Sequence, residues 1–120
     1  MKIDLSTDKK TVTWIGLIKK VSKSLQYPII EYCVTGNGSV FAIVDPMEVD
    51  GNMNVLVFSK YGESTKQLES PYFEDEIKYF SAVEVDSDEK VRLYFSGEKY
   101  EYRVRYDPVT NKYLEKSTCR

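Results

Sequence analysis

The sequence predicts a mainly β fold: an antiparallel meander forming a curved sheet or sandwich, with one N-terminal helix, all within a single domain spanning residues 1–120. Three observations carry this prediction. From Val91 to Lys116 apolar and polar residues alternate almost without a break, with a period of two. Turn formers punctuate these runs at short intervals, as in "TGNG", "SKYGE", "SDE", "SGEK" and "DPVTN". A chain of 120 residues with ordinary apolar and charged fractions can close one core without disulfides or metal.

The first segment, "MKIDLSTDKK", lacks the apolar stretch of a signal peptide, and no later run approaches the length of a membrane span. Cys33 and Cys119 are too few for a disulfide framework. A cytoplasmic location is the expectation. The next segment, Thr11–Tyr27, carries Trp14, Leu17, Ile18, Val21 and Leu25 at helical spacing, with Lys19, Lys20 and Lys23 opposite. Its β-branched start, "TVTWI", also suits a strand. The second half is assigned to the helix, which Pro28 ends.

"PIIEYCV" and "SVFAIV" flank "TGNG" as a hairpin. "DPMEVDGN" reads as a solvated polar loop rather than a cation site. "NVLVFS" is apolar on both parities and reads as an interior strand. Gly62 supplies the positive φ of the following turn, and "STKQLES" returns from it. "SPYFEDE" is a loop or a single helical turn. "IKYFSAVEV", "VRLYFS", "YEYRVRY" and "KYLEK" complete the meander.

Register within the last four strands follows from their apolar positions. A three-residue loop Ser87-Asp88-Glu89 places Val85 opposite Val91, Val83 opposite Leu93, Glu84 opposite Arg92 and Asp86 opposite Lys90. A two-residue loop Gly97-Glu98 pairs Phe95 with Tyr100, Leu93 with Tyr102, Val91 with Val104 and Arg92 with Arg103. Asp107, Pro108 and Asn111 suit the last turn, after which Leu114 turns inward and Glu115 lies near Arg103. On this register the tyrosines face the core and the arginines face solvent between acidic strands. A platform for single-stranded nucleic acid needs both on one face, so no nucleic-acid partner is expected.

The chain contains no histidine, which removes the commonest general base and every Ser-His or Cys-His nucleophile. No metal or cofactor motif stands out, and no enzymatic activity is expected. Net charge is only -2 but unevenly spread: residues 69–89 hold eight acids and one lysine. Register gives Glu84 and Asp86 internal partners. It leaves Glu69, Glu74, Asp75, Glu76, Asp88 and Glu89 without one, with Tyr72 and Phe73 among them. Glu48 and Asp50 add charge from the earlier loop. Acids around aromatic anchors suit an interface with a basic protein; a solvated loop is the plainer alternative.

"NVLVFSKYGESTKQLES" and "VRLYFSGEKYEYRVRYDPVTNKYLEK" resemble a family of small acidic bacterial immunity proteins from polymorphic-toxin and contact-dependent growth inhibition loci. The matching positions are Asn54–Phe58, Gly62, Tyr106, Asp107, Pro108, Thr110, Asn111 and Lys112, with Asn111 where glycine is usual and Gln67-Leu68 where a tryptophan is common. The resemblance implies a non-catalytic protein that binds a cognate toxin domain, often a nuclease, and occludes its active site. Three other functions stay open. One is a β module forming a homo-oligomer through a sheet edge. Another is a β domain that binds a small molecule among its tyrosines. The third is RNA binding through Lys19, Lys20 and Lys23.

Overall fold

A computed structural model describes residues 3–15, 20–45, 54–59, 65–69 and 77–118. These form eleven strands: β1 (Ile3–Leu5), β2 (Thr11–Ile15), β3 (Lys20–Ser24), β4 (Ile29–Val34), β5 (Val40–Val44), β6 (Val55–Phe58), β7 (Thr65–Gln67), β8 (Ile77–Val85), β9 (Val91–Gly97), β10 (Glu101–Asp107) and β11 (Lys112–Thr118). Every pairing is antiparallel, and each of the three sheets is a meander: β1-β2-β3, β4-β5-β6-β7 and β11-β10-β9-β8. Mainly β is therefore the observed class, with three sheets rather than one curved sheet or a two-sheet sandwich.

The middle sheet, β4–β7, is covered on both faces, and β5 shows how. Val40 and Ala42 join Val12, Trp14, Val21, Ile29 and Phe58 in one core, against the first sheet. Phe41 and Ile43 join Phe80, Leu93, Val104 and Tyr106 in the other, against the third sheet. Alternation along a strand sends neighbours to opposite faces, so a strand apolar at every position needs a layer on each side. All five β5 residues are buried. "NVLVFS" becomes the interior strand β6 for the same reason.

The N-terminal helix is not found: among the described residues no helix occurs, and Thr11–Ile15 and Lys20–Ser24 are paired strands. Val12 and Trp14 keep the period of two of a strand, and Trp14 and Val21, seven apart as on one helix face, meet instead across a hairpin. Trp14 lies opposite Val21 on the inner face. Thr11 opposes Ser24 and Thr13 opposes Ser22 on the outer face, each pair joined by a hydroxyl contact, 3.2 and 3.1 Å. Of the three lysines of the RNA alternative, Lys20 begins β3, and Lys19 lies outside the described residues.

In the third sheet the β8–β9 register is as predicted: Val85 with Val91, Glu84 with Arg92, Val83 with Leu93. The β9–β10 register is shifted by two residues. Phe95 opposes Tyr102, Leu93 opposes Val104, and Arg92 opposes Arg105. The Gly97 amide donates to the Tyr100 carbonyl at 2.8 Å, so the loop is Glu98-Lys99. A two-residue slip keeps every side chain on its predicted face, but it leaves Tyr100 outside the core, 53% exposed. Asn111 takes the left-handed position of the last turn, φ 59°, and Asp107 caps the Val109 amide at 2.9 Å, as expected. Past it, the turn pairs Asp107 with Lys112 and Tyr106 with Tyr113, which sets β11 facing opposite to the expected way before a bulge that lies between Tyr113 and Lys116. Tyr113 packs inside and Leu114, expected inside, is exposed. The turn at Gly62 lies outside the described residues.

Side chains close the free edge of β8. Asn54, fully buried, donates from Nδ2 to the Val44 and Phe80 carbonyls at 3.0 and 2.9 Å, and its Oδ1 accepts the Phe80 amide at 2.8 Å. The Glu31 carboxylate accepts the Val83 amide at 2.9 Å. Unpaired edge groups are a template for aggregation; here residues of the middle sheet occupy them. No helix among the described residues is long and apolar enough to cross a membrane.

Candidate functional site

The outer face of the third sheet concentrates the described charges. The turn between β8 and β9 is built on Asp86, whose Oδ1 accepts the Asp88 and Lys90 amides at 2.9 and 3.1 Å. Its backbone also exchanges bonds with Lys90 and Glu89, and Glu89 holds φ at 63°. Arg105 then locks the turn to the sheet. Its Nε donates to Asp86 Oδ2 at 2.9 Å, Nη2 to Asp88 Oδ2 at 3.2 Å and Nη1 to Glu115 Oε1 at 3.1 Å. Burial opposes ionisation of Asp86, whose side chain is 5% exposed. The Lys90 and Asp88 amides and Arg105 outweigh that and hold its carboxyl below the ordinary range.

The predicted site residues therefore divide. Asp88 and Glu89 share one braced turn, and both are exposed. Asp88 is not unpartnered as expected, because Arg105 reaches it. Register slipped by two brought Arg105, rather than Arg103, into the acid-flanked position. Glu115 likewise pairs with Arg105 and not Arg103, which makes no ion pair among the described residues. The Glu89 carboxylate lies against Gly36 of the β4–β5 turn; a Cβ there would sit 2.2 Å from Glu89 Oε2. Glu69, also exposed, is set apart. Its backbone carbonyl accepts the Tyr113 hydroxyl, on the core side of the third sheet, whereas Asp88 reaches Arg105 on the outer side. Tyr72, Phe73, Glu74, Asp75, Glu76, Glu48 and Asp50 lie outside the described residues.

Two buried groups, Cys33 and Tyr113, are held in their protonated forms. Burial, with Glu31 and Glu84 nearby, pushes the Cys33 thiol up to about 12, so it is protonated at neutral pH. Burial also raises the Tyr113 hydroxyl, with Tyr106 and Glu69 adding to the effect, and it stays a donor. Among the described residues no cluster of Cys, Asp and Glu is arranged to hold a metal ion.

The residues that sequence reasoning missed are Arg105 as the hub and Glu31 and Asn54 as edge clamps. Asn54 stands just ahead of an apolar run, where a polar residue reads as the end of a loop. No family model, curated protein or solved structure matches this chain.

Proposed function

We propose that this chain is a non-catalytic binding protein, and specifically a cytoplasmic immunity protein that neutralises a cognate bacterial toxin domain, of basic and nuclease type, by covering its active site. One observation carries the reading: the β8–β9 turn presents Asp88 and Glu89 at the surface, on a backbone fixed by Asp86 and Arg105. Exposed acids on a rigid loop lose little conformational freedom on binding and can meet a positive surface without rearranging. On this reading Glu69, Tyr72, Phe73, Glu74, Asp75 and Glu76 supply the second half of the interface, with Glu48 and Asp50 at its margin. The resemblance to immunity proteins gives the class of partner; charge and preorganisation give the means. Inhibition is steric and electrostatic.

Co-purification of the chain with the product of the adjoining gene tests the proposal. A stable complex is expected, with an association rate that falls steeply as salt rises. The double variant Asp88→Lys, Glu89→Lys is expected to weaken the complex at least about tenfold, and Glu74→Lys, Asp75→Lys, Glu76→Lys to do the same. A complex indifferent to both sets, or no protein partner at all, would sink the reading.

A further inference from the structure

A groove of about 410 Å³ crosses the outer face of β8–β10, away from the β8–β9 turn. Its origin is local. A bulge in β8 between Phe80 and Ala82 leaves Ser81 out of register, and the small Ala82 lies opposite Tyr94. With no long side chain at position 82, the space beside Tyr94 is left open. The Ser81 hydroxyl donates to the Tyr94 carbonyl at 3.3 Å and ties the bulge to β9.

The charged side chains lining the groove are two carboxylates, Glu84 and Glu101. Glu84 Oε1 accepts from Arg92 Nη1 at 2.9 Å and from the Tyr94 hydroxyl at 3.0 Å. Its Oε2 has no partner among the described residues, and neither has the exposed carboxylate of Glu101. Tyr94 supplies an aromatic wall between them. The set is acceptor oxygens beside a π face, with no lining cation. That is the chemistry that receives a planar guanidinium, which stacks on the ring and donates a fork of N–H groups. Arg92 shows the same preference inside the chain, since it already donates to Glu84 Oε1 and leaves Oε2 to another donor. Arg103 lies opposite Tyr94 on β10 and borders the groove without lining it. Its charge opposes any cation in the groove, and the two carboxylates offset it.

We infer that this groove receives an arginine side chain from a protein partner, held between Glu84 and Glu101 against Tyr94. The site is separate from the acidic turn of the proposed function and names a specific side chain, so each can fail without the other.

Titration of the ¹⁵N-labelled full chain with the peptide acetyl-Gly-Arg-Gly-amide, followed by amide NMR, tests it. Saturable shifts confined to Ser81, Ala82, Glu84, Tyr94 and Glu101 are expected. Replacing the arginine by citrulline, which keeps the shape without the charge, is expected to abolish them, and lysine to weaken them. Glu101→Gln, at an exposed position, is expected to weaken binding about tenfold while the rest of the spectrum is unchanged. No shifts in the groove, equal shifts with the citrulline peptide, or shifts as large at Asp88 and Glu115 would overturn the inference.

Discussion

The first and third sheets do the same job with different chemistry. Each is an antiparallel meander that buries one face against the middle sheet and turns the other to solvent. The first sheet joins its outer positions by neutral hydroxyl contacts, Thr11 with Ser24 and Thr13 with Ser22. The third joins them by charge, through Glu84–Arg92 and the Arg105 hub. The attachment to the middle sheet also differs. A backbone bond from the Ile29 amide to the Lys9 carbonyl, 2.8 Å, links the first sheet, whereas the side chains of Asn54 and Glu31 clamp the third. Inner faces decide that both sheets stack; outer faces decide how each responds to salt, pH and partners.

The strongest way to break this comparison is to remove the clamp. Asn54→Leu leaves the buried Phe80 amide and carbonyl unsatisfied and is expected to cost about 3 kcal/mol. Hydrogen exchange should locate the loss: protection at Phe80 and Val83 falls first, while Val12 and Val21 keep theirs up to global unfolding. Equal loosening of both outer sheets would show that the clamp is not particular to the third. Arg105→Met comes next. It leaves Asp86, Asp88 and Glu115 facing one another, so the melting temperature falls at pH 7. The fall shrinks at pH 3, where carboxylates take up protons.

A pH titration sharpens the contrast further. Asp86 has a folded-state pKa below its unfolded value, so it contributes stability that is fully present above about pH 4. That contribution is lost as pH falls through the depressed folded value. Asp86→Asn should therefore flatten the acid limb of a plot of melting temperature against pH. Thr13→Val, on the neutral outer face, is expected to leave that limb unchanged and to alter stability by no more than about 0.5 kcal/mol. A salt-dependent effect of Thr13→Val would blur the distinction between the faces.

How much of this could be read from the residues depends on what an apolar pattern encodes. Alternation fixes which side a residue faces, but a slip of two residues leaves every side unchanged. Val83, Val85, Val91 and Leu93 found their register because the Asp86–Lys90 turn has one natural solution. Around Gly97 the glycine suggested the loop, yet neither Glu98 nor Lys99 takes a positive φ, so the turn needs no glycine at its centre. The shift by two then moved the hub from Arg103 to Arg105. Leu114 was misplaced because the last turn pairs Tyr106 with Tyr113, a choice of loop length that reverses the facing of the next residue. Trp14 and Val21 sit at helical spacing, yet the same two residues share a face when they pair across a hairpin, and packing on the middle sheet suits both arrangements of the pattern. Of the candidate site, the braced turn at Asp88 and Glu89 was legible in "DSDEK"; its attachment to Arg105 was not.

The clamp also orders events in time. Asn54 and Phe80 are 26 residues apart, and Glu31 and Val83 are 52. Hairpins of the third sheet close locally, whereas its edge is finished only by residues from the middle of the chain. Synthesis delivers those residues first, so β8 emerges onto a partner already made. A refolding chain has no such schedule, and its third sheet waits with an open edge while long loops close. Refolding from denaturant is expected to aggregate more as protein concentration rises, and Asn54→Leu to worsen this. Turbidity on dilution, compared between the two chains, measures it; equal turbidity would mean that the edge does not govern aggregation.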